Sequence, residues 1–285
     1  IEMNEIVLHV ICPDKKGVIA QFTQILFDSE SNILTLEQHV DPEDGYFFMR
    51  IHADVKLVNN NYTYLEKKLN KLIKKLNGTL KLFDFTEKIN IAILCTKESQ
   101  PIVDLFLKQR SGELNCNIPI VISNHNNLRD LSETFGAKYI FCPIDNNRGK
   151  QEKIILNELN VNNINLVVLA RYMQILSPYF LKKCNSDIIN IHHGFLPAFK
   201  GGSPYRQAWE KGVKMIGATA HYVTEELDAG PIISQDTEAV THQFSVSQLA
   251  ETGRDIERRV LFSAVKAQVE YRILLHGERT IIFHG

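Results

Sequence analysis

The sequence lacks most of the features that mark secreted, membrane-bound and nucleic-acid-binding proteins. It has 32 basic and 33 acidic residues and a net charge of −1. A broad nucleic-acid or membrane footprint needs a basic excess and is therefore not expected. No stretch is long and apolar enough to span a bilayer, and no basic segment followed by an apolar run marks a signal peptide. We expect a cytoplasmic protein with neither a nucleic-acid nor a membrane partner.

Cysteine is scarce and widely spaced. None of the five cysteines has a neighbour at the spacing of a zinc knuckle or a redox pair, and such a set suits a reducing cytosol. The histidines lack both the short helical pair spacing and the cysteine partners of a zinc site. We therefore expect no catalytic metal and no cofactor.

The length of 285 residues is comfortable for two domains, and the two halves of the chain differ in pattern. From Glu5 to Phe85 the order is strand, helix, strand, strand, helix, strand. Residues 42–45 (Pro-Glu-Asp-Gly) give a hairpin signal between the second and third strands, and Asn77-Gly78 ends the second helix. This order predicts a ferredoxin-like βαββαβ domain over residues 1–86.

After Glu87, short and almost continuously apolar runs alternate with helical segments. Such strands indicate a mostly parallel sheet that is covered on both faces, as in Rossmann-like α/β domains. We therefore predict one such domain over residues 87–285. The predicted strands are 89–95, 118–124, 138–142, 165–170, 187–192, 214–223, 231–238 and 280–283, with helices that include 102–110, 150–159 and a long one over 246–275.

Two polar residues stand near the end of the predicted strand 187–192. Because side chains alternate along a strand, Asn190 and His192 share a face, and a glycine-containing loop follows them. Ligands of open α/β sheets bind at the carboxyl ends of the strands. An amide and an imidazole there can polarise a carbonyl oxygen. Equally, they can end a strand and hydrogen-bond to the loop.

A second polar element lies on the next predicted strand and in the turn beyond it. His221 continues the strand alternation, and Asp228 stands in a turn close to Gly230 and Pro231. A carboxylate in such a turn can be aimed without helix or strand constraints. The alternative for Asp228 is ordinary turn chemistry, since Asp is common there.

Together these residues form a specific pattern. Asn190-x-His192, Leu196-Pro197, the segment 199–202 (Phe-Lys-Gly-Gly), and His221 seven residues before Asp228-x-Gly230 resemble the formyltransferases that use 10-formyltetrahydrofolate. The N-terminal half, with Asp14-x-x-Gly17 and segments 37–41 and 45–50, resembles the ACT domain of the formyltetrahydrofolate deformylase family. Segments 96–99, 192–193 and 201–205 resemble the same family.

The resemblance implies a set of functional residues. Asn190, His192 and Asp228 would be catalytic, and His221 would support Asp228 or a bound water. Asp14 and Gly17 would be regulatory, at a turn where backbone N–H groups can meet an amino-acid effector in a homo-oligomer; equally, Asp14 can cap the helix and Gly17 can serve only the turn. The implied substrate-binding residues, which would hold the pteridine, are Arg171, Tyr172, Met173, Gln174, Ile175, Leu176, Gly202, His221, Thr224 and Leu227.

The resemblance also implies a reaction. No glycine follows the first strand of the second half until Gly112, so a backbone cradle for an acceptor's phosphate is not expected there. The resemblance to the deformylase family implies that water is the acceptor and that 10-formyltetrahydrofolate is hydrolysed to formate and tetrahydrofolate, which feeds purine synthesis and balances one-carbon pools. Gly194 and Gln100-Pro101 depart from the family pattern outside the catalytic set, which leaves substrate-side detail open but not the reaction.

Two other functions stay open at this point. One is formyl transfer to a small amine, with an amine pocket in place of the water site. The other is a non-catalytic amino-acid sensor, against which the intact Asn190, His192 and Asp228 argue.

Overall fold

The computed structural model of the chain describes residues 3–56, 61–144, 148–197 and 204–284. The chain divides into two compact units. One comprises residues 1–88, 270–276 and 281–285, and the other comprises 89–269 and 277–280. Among the described helices, none is both long and apolar enough to cross a membrane.

The first unit contains a four-stranded antiparallel sheet with the strand order β2-β3-β1-β4. The chain order of its N-terminal part is β-α-β-β-α-β, so the predicted ferredoxin-like fold is confirmed. The elements are β1 (Met3–Pro13), α1 (Val18–Asp28), β2 (Asn32–Asp41), β3 (Tyr46–Lys56), α2 (Asn61–Lys75) and β4 (Thr79–Asp84).

The second helix of this unit ends where the sequence predicted, but its two end residues have different roles. Asn77 adopts the left-handed conformation, with φ 54°, which Asn tolerates better than most residues. Gly78 is required by packing instead, because a Cβ there would lie 2.4 Å from the carbonyl oxygen of Ile11 in β1. The turn therefore ends α2 and brings β4 directly against β1.

The C-terminal segment of the chain differs from the sequence-based division at residue 86. The helix predicted over 246–275 ends at Val269, because Tyr271 is left-handed with φ 48°. Ile273–His276 (β12) and Arg279–Ile282 (β13) follow as a two-stranded sheet. Leu274 and Phe283 pack with Phe48 in the first unit, and this burial of apolar surface explains why residues 270–276 and 281–285 belong to it.

Two buried polar side chains form hydrogen bonds with the start of this C-terminal segment. His9 Nε2 lies 2.7 Å from the carbonyl oxygen of Tyr271, which it can only approach as a donor. Arg50 donates to the same oxygen and to the carbonyl oxygen of Glu270. Because buried backbone carbonyls need partners, these two residues satisfy the backbone where the long helix ends.

His9 gives the stability of the protein a predictable pH dependence. Burial lowers the pKa of His9 from 6.5 to about 4. Below pH 6.5, His9 therefore binds a proton in the unfolded chain but not in the folded chain. Stability is therefore lost as the pH falls from 6.5 towards 4. His9→Gln keeps an N–H donor but cannot titrate. Between about pH 7 and about pH 5, protonation linked to His9 should lower the unfolding free energy of the wild type by about 2 kcal/mol, and the variant should not show this loss. Urea unfolding at both values measures this, and equal pH slopes for the two proteins would contradict it.

The second unit is an α/β domain with a seven-stranded sheet of order β11-β10-β9-β8-β5-β6-β7. Its elements are β5 (Ile89–Cys95), α3 (Gln100–Arg110), β6 (Cys116–Ser123), α4 (Arg129–Thr134), β7 (Lys138–Phe141), α5 (Arg148–Val161), β8 (Leu166–Ala170), α6 (Pro178–Lys183), β9 (Asp187–His192), α7 (Pro204–Lys211), β10 (Met215–Tyr222), β11 (Ile232–Ala239) and α8 (Val246–Val269).

The mostly parallel character of this sheet is confirmed. Five strands, β5 to β9, pair in parallel, and their central members are almost wholly buried. The strand β10 runs in the opposite direction and is antiparallel to both of its neighbours, β9 and β11. This reversal brings β10 beside β9 and so determines which side chains meet at the site.

Candidate active site

The antiparallel pairing of β9 with β10 brings two predicted site residues into contact. His221 stands directly opposite Asn190, and Thr219 opposite His192, and opposed residues of an antiparallel pair share a face. Asn190 Nδ2 lies 3.2 Å from His221 Nε2. Strand alternation and sheet register together therefore place Asn190, His192 and His221 on one side of the sheet.

The hydrogen bonds of His221 determine which of its nitrogens carries the proton. Nδ1 lies 2.9 Å from the carbonyl oxygen of Tyr222, which can only accept, so Nδ1 donates. Burial lowers the pKa of His221, so at neutral pH the ring is neutral and its Nε2 accepts from Asn190 Nδ2. One N–H of Asn190 is thus used by His221, and the amide plane is oriented by that bond.

Asp228 stands in the loop after β10, with its carboxylate near both histidines. Its Oδ2 lies 3.4 Å from His192 Nδ1, and its Oδ1 lies 3.7 Å from His221 Nε2. The hydrogen bond from His192 lowers the pKa of Asp228, so the group is a carboxylate at neutral pH. Asp228 is left-handed with φ 53°, a conformation that Asp adopts more readily than most residues.

The loop that carries Asp228 is closed by Gly230. A Cβ at this position would lie 1.8 Å from the carbonyl oxygen of Tyr222, so only glycine permits the loop to fold back on β10. The next residue, Pro231, accepts from the backbone N–H of Tyr222. The Asp-x-Gly-Pro motif thus aims the carboxylate through the backbone that surrounds it.

A cleft of about 310 Å³ lies over these residues. Asn190, His192 and Asp228 line it together with the loop 171–176 and the loop 224–228. Met173, Ile175 and Leu227 are all more than half exposed in this structure. Exposed apolar side chains around a few convergent polar groups are typical of a small-molecule site.

Both parts of the chain match known protein families, and similar proteins match the chain over nearly its whole length. A family model described as "Formyl transferase" matches residues 89–265, and a model described as "ACT domain" matches residues 6–60. A formyltetrahydrofolate deformylase of Synechocystis is 40% identical over 277 residues, covering 97% of each chain. One of Bacillus subtilis is also 40% identical, covering 97% of this chain and 93% of the relative.

Solved structures agree with these matches. A formyltetrahydrofolate deformylase of Pseudomonas syringae superposes with a TM-score of 0.92 at 35% identity, covering 99% of this chain and 95% of the other. The chain belongs to the formyltetrahydrofolate deformylase family. A glycinamide ribonucleotide transformylase of Symbiobacterium toebii superposes with a TM-score of 0.66 at 28% identity, over 71% of this chain and 97% of the other.

Within this family fold, almost all predicted substrate-binding residues line one cleft. Gly202 is the exception, because it lies outside the described residues. The cleft also contains residues that the sequence patterns did not single out as substrate contacts, among them His193, which directly follows His192. The predicted residues that line it are Arg171, Tyr172, Met173, Gln174, Ile175, Leu176, His221, Thr224 and Leu227.

Arg171 has a partner that its sequence context does not reveal. Its guanidinium donates to both carboxylate oxygens of Glu257 in α8, at 2.6 and 2.5 Å. Glu257 is 1% exposed, and its charge is compensated by this bidentate ion pair. Arg171 thus anchors the start of the 171–176 loop to α8, and its charge is neutralised by Glu257 within the protein.

The other end of this loop is held by a buried carboxylate in α5. Glu152 is 4% exposed and accepts hydrogen bonds from the backbone N–H and the hydroxyl of Ser177. Arg148 lies near the same carboxylate, at 3.3 Å, and donates to the carbonyl oxygen of Ile175. Anchors at both ends pre-organise the loop, which lowers the entropy cost of binding.

The predicted regulatory residues lie in the first unit. Gly17 precedes α1 in the left-handed conformation, with φ 84°, which requires glycine. Asp14 is exposed, and its backbone N–H donates to the carbonyl oxygen of Gly45. Within the described part of the chain, no three His, Cys, Asp or Glu side chains are grouped so as to hold a metal ion.

Proposed function

We propose that this protein hydrolyses 10-formyltetrahydrofolate to formate and tetrahydrofolate, with water as the acceptor of the formyl group. The observation that carries the proposal is the convergence of Asn190, His192 and Asp228 at the polar end of a cleft with an apolar loop, in a chain of this family. The formate would feed purine synthesis, and the hydrolysis would balance one-carbon pools.

The cleft divides into an apolar part and a polar part, which suit the two parts of the substrate. Met173, Ile175 and Leu176 offer an apolar slot for the pteridine, and loop backbone groups can pair with its polar edge. Thr224 and Leu227 close the opposite side. The formyl group would then lie at the end where Asn190 and His192 stand.

Hydrolysis builds negative charge on the formyl oxygen when water attacks the formyl carbon. The Asn190 amide and the His192 imidazole would donate hydrogen bonds to that oxygen. A preorganised donor of this kind is worth about 100- to 1000-fold in rate, roughly 3–4 kcal/mol. Because His221 takes one N–H of Asn190, the amide is oriented before the substrate arrives.

Asp228 would position the attacking water and receive its proton. Its carboxylate is ionised at neutral pH and faces His192 Nδ1, so it can orient that ring and stabilise positive charge on it. The leaving nitrogen must be protonated to depart, and Asp228 would return the proton to it. This sequence of steps balances without a metal or an organic cofactor, and we propose that the enzyme uses neither.

The proposal is tested by following formate and tetrahydrofolate as the full chain acts on 10-formyltetrahydrofolate, with and without small primary amines. Hydrolysis predicts equal amounts of both products and no dependence on amine. Formylated amine without free formate would indicate a transferase instead. Substrate that binds and stays intact would indicate a sensor, and activity lost on treatment with EDTA would overturn the metal-free mechanism.

We also propose that the protein works in the cytoplasm. The five cysteines are free, and four of them are buried, as suits a reducing compartment. Burial raises the pKa of Cys95 to about 12, so this thiol is not a nucleophile at neutral pH.

We propose further that the protein is a homo-oligomer assembled through the first unit. Its strand β2 is an edge of the four-stranded sheet, and exposed edges are normally paired or covered. Phe27 in α1 is 76% exposed, and Leu34 and Val40 in β2 are 44% and 38% exposed. We propose that a second copy covers the surface on which these three apolar side chains of α1 and β2 are exposed.

A charged residue on this surface should dissociate the assembly. We expect Leu34→Lys to lower the oligomeric mass in sedimentation, since a lysine would be buried without a partner. Leu107→Lys is the matched control, because Leu107 is 52% exposed on α3 of the other unit and should leave the mass unchanged. A Leu34→Lys protein with the wild-type mass would exclude this surface.

An amino acid is the proposed effector of the first unit, bound at the turn of Asp14 and Gly17. A ligand regulates only if it binds one state better than another. Turnover of the full chain should therefore change with added free amino acids, and Gly17→Ala should abolish the response. Turnover that no amino acid alters would remove this role.

A further inference from the structure

A glycine in the middle of α8 points to a role for Tyr205. Gly253 lies inside a 24-residue helix, where glycine is less favourable than alanine by about 1 kcal/mol. Its backbone does not need glycine's conformational freedom, but a Cβ there would lie 2.1 Å from the hydroxyl oxygen of Tyr205. Gly253 therefore admits the phenol ring of Tyr205 against the helix.

The Tyr205 ring is tethered in that place. Its hydroxyl donates to Glu257 Oε1 at 2.5 Å, and the same carboxylate holds the guanidinium of Arg171. Burial and the charge of Glu257 raise the pKa of Tyr205, so the hydroxyl stays a donor. Gly253 and Glu257 of α8, together with Arg171 directly after β8, thus fix one aromatic ring of α7, which is more than filling a gap requires.

The tethered ring stands behind the catalytic histidine. The ring of His193 lies 5.4 Å from that of His192 and 6.2 Å from that of Tyr205, between centroids. Burial, and next the charge of Arg171, lower the pKa of His193 to about 4, so its ring is neutral at neutral pH. The order across the site is therefore His192, His193, Tyr205.

On the side of His193 away from the substrate cleft, the residues that the structure describes leave only a small space. His193 lines both the substrate cleft and a separate cavity of about 20 Å³, which Tyr205, Phe195 and Gly217 also line. A cavity needs roughly 10–15 Å³ to hold one water molecule. This one is therefore of the size of a single water and too small for a substituted amine.

The position of this cavity bears on the choice of acceptor. The pteridine-lining loops 171–176 and 224–227 form the other walls of the cleft. An attacking group must reach the formyl carbon at the polar end, on the side of His192 and His193. Because His193 lines both the cleft and this cavity, a substituent that passes His193 would enter the cavity beside Tyr205.

We propose that Tyr205, admitted by Gly253 and held by Glu257 and Arg171, is the specificity-determining residue that restricts the formyl acceptor to water. This inference rests on the proposed hydrolysis and explains its selectivity. Tyr205 acts by occupying space, and the chemistry stays with Asn190, His192 and Asp228.

Removing the ring should let an amine take the place of water. The amine nitrogen would bond to the formyl carbon, the bond from that carbon to N10 of the folate would break, and N10 would take the proton that the amine loses. The products are a formylated amine and tetrahydrofolate, and nothing is oxidised or reduced. Water and amine then compete for one formyl group, and the product ratio reports the size of the acceptor space.

The test compares acceptor size with product ratio. The full chain and its Tyr205→Ala variant are each given 10-formyltetrahydrofolate with hydroxylamine, methoxyamine or O-benzylhydroxylamine, and formate and formylated products are quantified by mass spectrometry. We expect Tyr205→Ala to raise the ratio of formylated methoxyamine to formate at least about tenfold, because a difference of even one methylene group in a pocket changes substrate discrimination by about that factor. Tyr205→Phe keeps the ring and should keep the wild-type ratio.

Further variants separate this outcome from a folding defect. Gly253→Ala displaces the Tyr205 ring without changing it. Tyr205→Leu removes the ring but leaves a longer side chain than Tyr205→Ala does. Both variants should shift the ratio of formylated amine to formate in the same direction as Tyr205→Ala. Folded variants that keep the wild-type ratio with every amine would overturn the proposal. A wild-type protein that releases no formate would instead overturn the proposed hydrolysis, whatever the variants do.

Discussion

Replacement of Asp228 by asparagine is expected to abolish most of the hydrolysis and to leave the fold intact. The change keeps the volume of the side chain and removes the charge that faces His192 Nδ1 at 3.4 Å. Without the carboxylate, the attacking water has no acceptor for its proton, and the imidazole loses the group that orients it. General acid–base groups contribute about 100- to 10,000-fold, and we expect a loss of kcat in that range.

The control for this prediction is a second Asp→Asn change outside the cleft. Asp236 lies on β11 and is paired with Arg259 on the protein surface, so Asp236→Asn should turn over at nearly the wild-type rate. Circular dichroism and folate binding establish that both variants are folded. Turnover near the wild-type rate by a folded Asp228→Asn protein would remove Asp228 from the mechanism.

The second large effect is expected for the two residues that face the formyl oxygen. We expect His192→Ala and Asn190→Ala each to lower kcat by about 100- to 1000-fold. The affinity for folate should change far less, because these donors act mainly on charge that develops in the transition state. Steady-state kinetics and folate titration of the same preparations separate the two quantities.

A matched histidine variant completes this experiment. His242 is exposed and follows β11, so His242→Ala should have the kinetics of the wild type. If Asn190→Ala or His192→Ala lost folate binding and kept its turnover at saturation, that residue would position the substrate instead of stabilising the oxyanion.

Local sequence patterns were sufficient for the parts of the site that depend on one strand or one turn. Alternation along residues 187–192 predicts that Asn190 and His192 share a face, and the turn chemistry near Gly230 predicts a loop that carries Asp228. The contact of Asn190 with His221 needs more, because it depends on β10 running antiparallel to β9 with that register. A strand's partner and direction are properties of the whole sheet.

Two features escaped the sequence patterns because their causes are distant in the chain. Glu257 binds Arg171 across 86 residues, and neither local sequence marks the pair. The helix predicted to reach residue 275 stops at Val269, since burial of Leu274 beside Phe48 outweighs the helical pattern. Apolar spacing alone does not distinguish a helix that continues from a strand that packs elsewhere.

The source of the second oxygen atom of formate shows whether water accepts the formyl group, and oxygen-18 labelling identifies that source. The wild-type protein is incubated with 10-formyltetrahydrofolate in water enriched in oxygen-18, without any amine, and the released formate is analysed by mass spectrometry. Hydrolysis predicts one labelled oxygen in each formate and an equal amount of tetrahydrofolate. Formate without the label, or tetrahydrofolate formed without formate, would exclude water as the acceptor.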